Sequence, residues 1–380
     1  MTATAGLARA TGRHDRAALA DLLEAAGLTG RGGASFSTAT KLRSALDSGA
    51  DMVVNCCDGE LGAGKDAWLV AERLDEVRRG AALVTGGRPA RWAAHRDSRT
   101  AARLHAAGLD VLEVPHRYVS SEESSLVALA HGGLARPVTK HQPVSFGGRD
   151  SEGRRLRPTL VLNAETLWLV AGVAERGAAW FRSVGTVAEP GPRLVAVGGD
   201  VASPGVLETS AGIGVRDLVE AAGGPTGRVV GINVGGLSGG WLSAEEARGA
   251  VWSRQGLAPY GIGPGPGVVH VLADGGCPVR HVAATVRWAA GESAGQCGPC
   301  MFGLPAVADD LDDLAAGWLD AAGLRRLRGR LGLLPGRGAC RFPDGVAGYA
   351  ASALRVFATE VDAHRQGSCR YGAPATGARS

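Results

Sequence analysis

Lysine and asparagine are nearly absent from this chain of 380 residues. Three residues are lysine and three are asparagine, whereas 38 of the 41 basic residues are arginine. We attribute this skew to a genome-wide compositional bias, and we expect the residues that escape it to do something that their substitutes cannot. Lysine, for example, supplies a compact point charge where arginine supplies a planar fork. The six residues are Lys41, Lys65, Lys140, Asn55, Asn163 and Asn233.

Long apolar runs and a strong net charge are also lacking. No uncharged apolar run reaches the ~18 residues of a membrane-spanning helix, and residues 1–16 lack the apolar core of a signal peptide. The net charge of +4 is too small to favour nucleic acid as a partner. The seven cysteines are spaced too unevenly for a secreted disulfide framework. We therefore expect a soluble cytoplasmic protein whose cysteines are available to metal.

Three of these cysteines have the spacing of metal ligands. Cys297 and Cys300 are separated by two residues, and Cys340 follows from a distant segment. Thiolates at positions i and i+3 converge on one centre, and a third cysteine from elsewhere closes it, as in iron–sulfur and structural zinc sites. Such a site needs four ligands, so the spacing leaves the fourth ligand and the choice between iron and zinc open.

A glycine-rich segment precedes a predicted helix over 40–47. Gly30, Gly32 and Gly33 would allow backbone N–H groups to approach a phosphate, whose charge the helix N-terminus favours. A plain turn is the alternative, because glycine accounts for 59 residues of the chain. Lys41, near the helix start, supports the phosphate interpretation.

Three predicted strands, at 52–54, 109–114 and 159–162, run into polar loops. Ligands of open α/β sheets bind at the carboxyl ends of strands, so we expect a flavin or nucleotide site there. The paired carboxylates Glu122 and Glu123 have a simpler alternative role as the N-terminal charges of a helix. Further along, residues 193–269 alternate short strands with glycines and predict a small α+β module. Residues 280–363 are predicted to be helical and carry the metal-ligand cysteines.

Seven motifs, taken in order over about residues 24–365, resemble one family. This is the NADH-binding flavoprotein subunit of respiratory complex I, with relatives in soluble hydrogenases and formate dehydrogenases. The motifs are GRGGASF at 30–36, NCCDGELGAGKD at 55–66, YVSSEE at 118–123, LNAETL at 162–167, AWFRSVGT at 179–186, ESAGQCGPC at 292–300 and FATEVDAH at 357–364.

The resemblance implies an α/β fold class and a domain order. A Rossmann-like domain for flavin and dinucleotide would occupy residues 1–188, and a β-grasp-like SLBB domain residues 189–272. An iron–sulfur-binding helical bundle would follow over 273–366, and 367–380 would be a flexible tail.

The resemblance also implies a non-covalently bound FMN, NAD(H) as substrate and a 4Fe–4S cluster. The FMN phosphate would lie on the glycine loop and Lys41, with Asn163 and Thr166 nearby. Asn55 and Tyr118 would address the isoalloxazine side, and Glu122 and Glu123 the region shared with the dinucleotide. No side chain is assigned a catalytic role. The expected cofactor-binding residues are Gly30, Arg31, Gly32, Gly33, Phe36, Lys41, Asn55, Cys57, Glu60, Tyr118, Glu122, Glu123, Lys140, Asn163 and Thr166, and the expected metal ligands are Cys297, Cys300 and Cys340.

The sequence departs from the family pattern at the iron–sulfur cluster and at the flavin and dinucleotide site. Ala294 stands at the first cluster cysteine, which leaves a 4Fe–4S cluster with an outside ligand such as Ser293, a 3Fe–4S cluster, or an empty site. Cys57 replaces an aspartate of the flavin loop. Of the aromatic residues that sandwich the dinucleotide in the family, only Phe36 remains. Each lost stack is worth roughly 0.5–1.5 kcal/mol, so we expect weakened NADH binding.

Two functions follow. The first is an oxidoreductase subunit of the NADH dehydrogenase type that passes electrons from NADH, or from a protein donor, through FMN to the cluster. The acceptor would be an iron–sulfur or other partner subunit, or a quinone-reducing complex, so that the chain would be peripheral on the inner face of the cell membrane. No nucleic acid is expected. The alternative is a degenerate scaffold or assembly subunit that keeps the fold without electron transfer.

Overall fold

The computed structural model describes residues 13–372. Within this range the chain forms α-helices, β-strands, short 3₁₀ turns and one π-helical turn at Pro299–Gly303. The α-helices are α1 Arg13–Ala26, α2 Thr38–Ser48, α3 Lys65–Glu72, α4 Leu74–Thr85, α5 Arg99–Ala106, α6 Glu123–Ala130, α7 Ala164–Phe181, α8 Val215–Ala221, α9 Ala244–Gly249, α10 Arg254–Leu257, α11 Pro278–Gly291, α12 Leu304–Ala315, α13 Ala321–Leu333, α14 Phe342–Val356 and α15 Ala358–Arg365.

The strands fall into three sheets, one of four strands, one of five and one of two. They are β1 Asp51–Asn55, β2 Arg91–His95, β3 Val111–Val114, β4 Gly148–Arg149, β5 Arg155–Leu156, β6 Thr159–Asn163, β7 Pro192–Gly199, β8 Gly205–Ser210, β9 Val229–Val234, β10 Gly240–Ser243 and β11 Val268–Ala273.

By its internal contacts the chain divides into two compact units. The first holds the described residues up to Gly59 together with Ala63–Ala196 and Val206–Ile213. The second holds Glu60–Gly62, Val197–Gly205 and the described residues from Gly214 onward.

The first unit is built on a parallel sheet with the strand order β3-β2-β1-β6. Its central strand β1 has three consecutive buried residues, Met52 to Val54, as expected for a strand covered on both faces by helices. In the β1–β6 register Asn55 lies opposite Asn163. The polar residues that end these two predicted strands therefore lie side by side at one edge of the sheet.

The sequence analysis did not identify the strand β2. Its sequence, RWAAH, contains two alanines, which have a low strand propensity. The register shows why it forms a strand nonetheless, because β2 pairs in parallel with β1 on one side and with β3 on the other. Ala93 and Ala94 are fully buried there, so packing in the sheet outweighs local propensity.

The helices of the first unit bury apolar faces on one another. Leu19, Leu23 and Ala26 of α1 lie on one side of that helix and are fully buried, and α1 packs against α2 and α7. The helix α2 begins after Ser37, whose hydroxyl accepts a hydrogen bond from the Thr40 N–H (3.2 Å), and ends at Gly49 in the left-handed conformation. These caps explain why the predicted helix over 40–47 forms between Thr38 and Ser48.

The five-stranded sheet has the order β10-β9-β11-β7-β8, and β9 runs antiparallel to both β10 and β11. In the second unit, α11 to α15 form the predicted helical region, in which α12 packs against α11 and α13. The mixed α/β fold with a parallel sheet and a helical C-terminal region is thus confirmed. Within the described residues, no helix is both long enough and apolar enough to cross a membrane.

Candidate flavin and iron–sulfur sites

The glycine-rich segment forms a closed loop in front of α2. The Gly30 N–H donates to the Phe36 carbonyl at 2.8 Å, and the loop turns through Gly33 (φ 99°) and Ser35 (φ 51°). A Cβ atom placed on Gly32 would meet no atom within 4 Å. The loop therefore has an open, side-chain-free position immediately before a helix N-terminus, which is the arrangement that binds phosphate groups.

A chain of hydrogen bonds joins this loop to the end of β6. The Arg31 N–H donates to the Thr166 hydroxyl at 3.0 Å, and that hydroxyl donates to Asn163 Oδ1 at 2.5 Å. In residues 13–372, Asn163 Nδ2 is buried and finds no hydrogen-bond partner, and neither does Thr38 Oγ1 at the start of α2. Buried polar atoms are nearly always paired in native proteins, so these two indicate a polar ligand.

The Arg31 side chain points away from this ligand position. It is 4% exposed, and its guanidinium donates to the carbonyls of Pro190 (3.1 Å) and Pro192 (3.3 Å). Burial, and next the neighbouring Arg193, lowers the pKa of Arg31 to about 9. Arg31 therefore contributes its backbone to the predicted site and its side chain to the packing of the segment before β7.

Lys65 and Glu165 form a buried ion pair that holds the glycine-rich loop on its buried side. Lys65 Nζ donates to a Glu165 carboxylate oxygen and to the Arg31 carbonyl, the latter at 2.5 Å. Glu165 also accepts from the Leu194 N–H at 2.8 Å. Both residues lie in motifs that the sequence marks, but no local pattern indicates that they pair. The scarcity of lysine was the one signal that pointed to Lys65.

A third carboxylate, Asp66, is buried next to this pair. Its Oδ1 accepts from the Glu165 N–H at 3.2 Å. Burial, and then the neighbouring Asp58, raises the pKa of Asp66 well above its ordinary value, although Lys65 opposes the shift. The buried side of the glycine-rich loop is thus acidic, because Asp66 and Glu165 lie there with Lys65, and it is closed to solvent.

The remaining charged candidates form a second network, in which two lysines bind two glutamates. Lys41 Nζ contacts Glu123 Oε1 at 2.6 Å, and Lys140 contacts Glu122 at 2.8 Å and Glu123 at 3.0 Å. Burial alone would raise the pKa of Glu123, but Lys41 and Lys140 outweigh burial and lower it. Glu122 also caps α6 by accepting from the Ser124 N–H at 2.7 Å, which agrees with its alternative role at a helix N-terminus.

This network bears on the phosphate assignment of Lys41. Two ammonium and two carboxylate groups balance in charge, so Lys41 brings no net positive charge to the glycine loop. Its role as a phosphate ligand stays a prediction, and the structure supports the loop amides and the α2 N-terminus more directly.

Asn55 links two of the predicted flavin segments. Its Oδ1 accepts from the Cys57 N–H at 3.0 Å, and its Nδ2 donates to the Ser121 carbonyl at 3.1 Å. Tyr118 is half-buried in the same turn as Ser121. Cys57 is a free buried thiol, and burial, followed by Asp66, raises its pKa well above the ordinary value. It is therefore held as a neutral thiol.

Phe36 and Glu60 are the last two predicted cofactor-binding residues. Phe36 is half-exposed. The carboxylate of Glu60 accepts from the N–H groups of Leu237 (2.8 Å) and Ser238 (3.3 Å), and so holds the turn between β9 and β10. A cofactor role for either residue stays a prediction.

The three predicted cluster cysteines interact with one another at the start of the helical region. Cys300 is buried in the π-helical turn. Burial, and then the thiols of Cys297 and Cys340, raise its pKa to about 12. Searched among the described residues, the three sulfur atoms do not form a group within 4.8 Å of one another. A single tetrahedral zinc would hold its sulfurs about 3.8 Å apart, whereas a cluster binds each thiolate at a different iron.

Sequence models of two domain families match this chain. The Nuo51 FMN-binding domain matches residues 23–172, and the NADH-ubiquinone oxidoreductase-F iron-sulfur binding region matches residues 280–364. The chain is 28% identical to an F-type subunit of the NADH-quinone oxidoreductase of Rhizobium meliloti, over 94% of this chain and 91% of that relative. It is 26% identical to the HndC subunit of the NADP-reducing hydrogenase of Solidesulfovibrio fructosivorans, over 92% and 76%.

Among solved structures, the chain is similar to the NAD+-reducing NiFe-hydrogenase in the H2-reduced state. The TM-score is 0.80 and the sequence identity 30%, over 93% of this chain. The chain spans 63% of the length of that hydrogenase chain.

Proposed function

We propose, from its similarity to the F-type flavoprotein subunits of NADH-quinone oxidoreductases, that this chain oxidises NADH and delivers the electrons through FMN and an iron–sulfur cluster to a partner subunit. The observation that carries the flavin part is the open glycine loop tied by hydrogen bonds to Asn163, whose buried amide Nδ2 lacks a partner within residues 13–372. FMN, when bound, supplies hydride acceptance and single-electron release, which amino-acid side chains lack.

The residues of this chain would bind FMN and orient it. The loop amides and the α2 N-terminus would hold the phosphate, and Asn163 Nδ2 would donate to the cofactor. Lys65, through the Arg31 carbonyl, fixes the loop from the buried side. Asn55 fixes the turn that contains Tyr118, on the expected isoalloxazine side. These are positioning roles, and each depends on groups that the fold already holds in place.

The cysteines support a cluster with three thiolates. Cys297 and Cys340 lie close enough to Cys300 to raise its pKa, and Ala294 cannot provide a fourth sulfur. We propose that the fourth iron site is closed by a ligand other than cysteine or is vacant. None of the contacts described favours the alternative role of a scaffold without electron transfer.

The finer organisation is part of the same proposal. We infer a flavin and dinucleotide domain over 1–188, an SLBB domain over 189–272 and an iron–sulfur bundle over 273–366. The electron acceptor would be a further subunit of a multi-subunit complex, which would place this chain at the periphery of that complex. Of the predicted tail 367–380, the part from residue 373 lies outside the described residues.

A matched pair of glycine variants tests the flavin proposal. Gly32→Ala would place a methyl group in the open position of the loop, whereas Gly148→Ala adds one to the exposed β4, where a Cβ also meets nothing within 4 Å. We expect Gly32→Ala to weaken FMN binding about 10-fold or more, equivalent to roughly 1.4 kcal/mol, and Gly148→Ala to leave it unchanged. Flavin fluorescence after denaturation gives the retained fraction, and titration of the flavin-free protein gives Kd.

Two results would contradict the proposal. One is a folded wild-type protein that carries no flavin and cannot be reconstituted with FMN. The other is a Gly32→Ala variant that binds FMN as tightly as Gly148→Ala.

A further inference from the structure

Four potential metal ligands meet in the second unit, at a distance in sequence from the three cluster cysteines. One is on the residue before α11, two lie one turn apart on α15, and one follows α15. Their ligand atoms all lie within 4.8 Å of one another. We call this group the C-terminal ligand cluster, and its members are Cys277, Glu360, His364 and Cys369.

The distances among three members of this cluster are close to those of a tetrahedral site. Cys277 Sγ lies 3.2 Å from His364 Nε2 and 3.9 Å from Glu360 Oε1, and the last two atoms are 3.3 Å apart. Zinc bonds of 2.0–2.3 Å imply ligand separations of about 3.4–3.8 Å at tetrahedral angles. A zinc ion would therefore fit these three ligands with shifts of a few tenths of an ångström, and Cys369 Sγ lies within 4.8 Å of all three ligand atoms.

His364 is oriented as a metal ligand. Its Nδ1 lies 3.2 Å from the Leu314 carbonyl, and in the neutral imidazole a hydrogen bond to that carbonyl places the one N–H proton on Nδ1. Nε2, the atom that faces the other ligands, is then left with a free lone pair. Metal-binding histidines are held in this way by an outer hydrogen bond.

Burial supplies a second, independent indication of a cation. His364 is fully buried and Glu360 is 4% exposed. Glu360 Oε1 accepts from the Arg370 N–H at 3.1 Å, but across the described part of the chain Oε2 is buried without a hydrogen-bond partner. An unsatisfied carboxylate oxygen is costly in such a place, and a divalent cation bound by the same carboxylate would reduce that cost.

We propose that the C-terminal ligand cluster is a closed structural zinc site, which fastens the segment after α15 to the start of α11. Two sulfurs, an imidazole nitrogen and a carboxylate oxygen form a donor set that suits zinc. All four positions are filled by protein, so the site has no open position for catalysis. It is separate from the iron–sulfur centre, because none of its ligands is Cys297, Cys300 or Cys340.

Metal analysis of the complete protein tests this site. We expect about one zinc per chain in addition to iron, and zinc-edge X-ray absorption should show two sulfur and two nitrogen or oxygen neighbours. Cys369→Ser should weaken zinc retention at least about 100-fold against a competing chelator while the iron content stays unchanged. The matched control is Cys340→Ser, which should lose iron and keep zinc.

Thermal unfolding provides a second readout. Removal of zinc by a chelator should lower the Tm of the wild type and have little effect on Cys369→Ser, whose substituted side chain is only half-buried and should not prevent folding. The proposal is overturned if the wild type holds no zinc after incubation with Zn²⁺, or if Cys369→Ser and Cys277→Ser retain zinc as the wild type does. It is also overturned if protein purified without reductant contains a Cys277–Cys369 disulfide in place of zinc.

Discussion

The buried pair of Lys65 and Glu165 allows the sharpest test of how the glycine loop is held. The two side chains are 4% and 1% exposed. Lys65→Met keeps most of the side-chain volume but leaves Glu165 as an uncompensated charge close to Asp66. Removing one partner of a buried ion pair costs about 3–5 kcal/mol, so we expect the free energy of unfolding to fall by that amount.

A double-mutant cycle separates the ion pair from packing. Glu165→Gln removes the charge and keeps an oxygen that can accept from the Leu194 N–H, now 2.8 Å from Glu165. The double variant should therefore lose less stability than the sum of the single variants, with a coupling free energy of up to about 3 kcal/mol. Denaturant unfolding of the flavin-free protein measures all four states.

The control is the exposed pair of Arg78 and Asp75 on α4, whose side chains are 48% and 88% exposed. Arg78→Met should cost less than about 1 kcal/mol. The reasoning would be refuted if Lys65→Met cost no more than this control, or if the two single losses simply added. A second readout is FMN retention, which should decrease in Lys65→Met because the Arg31 carbonyl loses its donor.

Two further predictions concern Asp66 and the cluster. The raised pKa of Asp66 means that the folded state binds its proton more tightly than the unfolded chain, so this group destabilises the fold increasingly as pH rises above the ordinary carboxyl pKa of about 4. Asp66→Asn should therefore be more stable than the wild type at pH 7 and show a gain that vanishes towards pH 4; pH-independent stability differences in urea titrations would contradict this. Ala294→Cys should supply the fourth thiolate, so mild oxidation should no longer produce the EPR signal of a 3Fe–4S centre, and a signal as strong as in the wild type would disprove a role for position 294.

The sequence alone determined those features that depend on neighbouring residues. The helix α2 could be located because the loop glycines, Ser37 and Gly49 act within a few residues of its ends. The buried strand β1 was visible as an apolar run, and the pair Cys297 and Cys300 as a spacing. Scarcity of lysine and asparagine pointed to Lys65 and Asn163 before any contact was known.

The tertiary structure decided which distant residues meet. β2 is a strand because of the strands on either side of it, although its alanines do not favour one. Lys41 belongs to an ionic network with Glu123 that lies 82 residues further along the chain. The C-terminal ligand cluster joins two residues of α15 and one residue after it with Cys277, and no local pattern marked them. Local patterns report helix and strand periods and their caps, whereas partners far apart in sequence are selected by packing, burial and the pairing of buried charges.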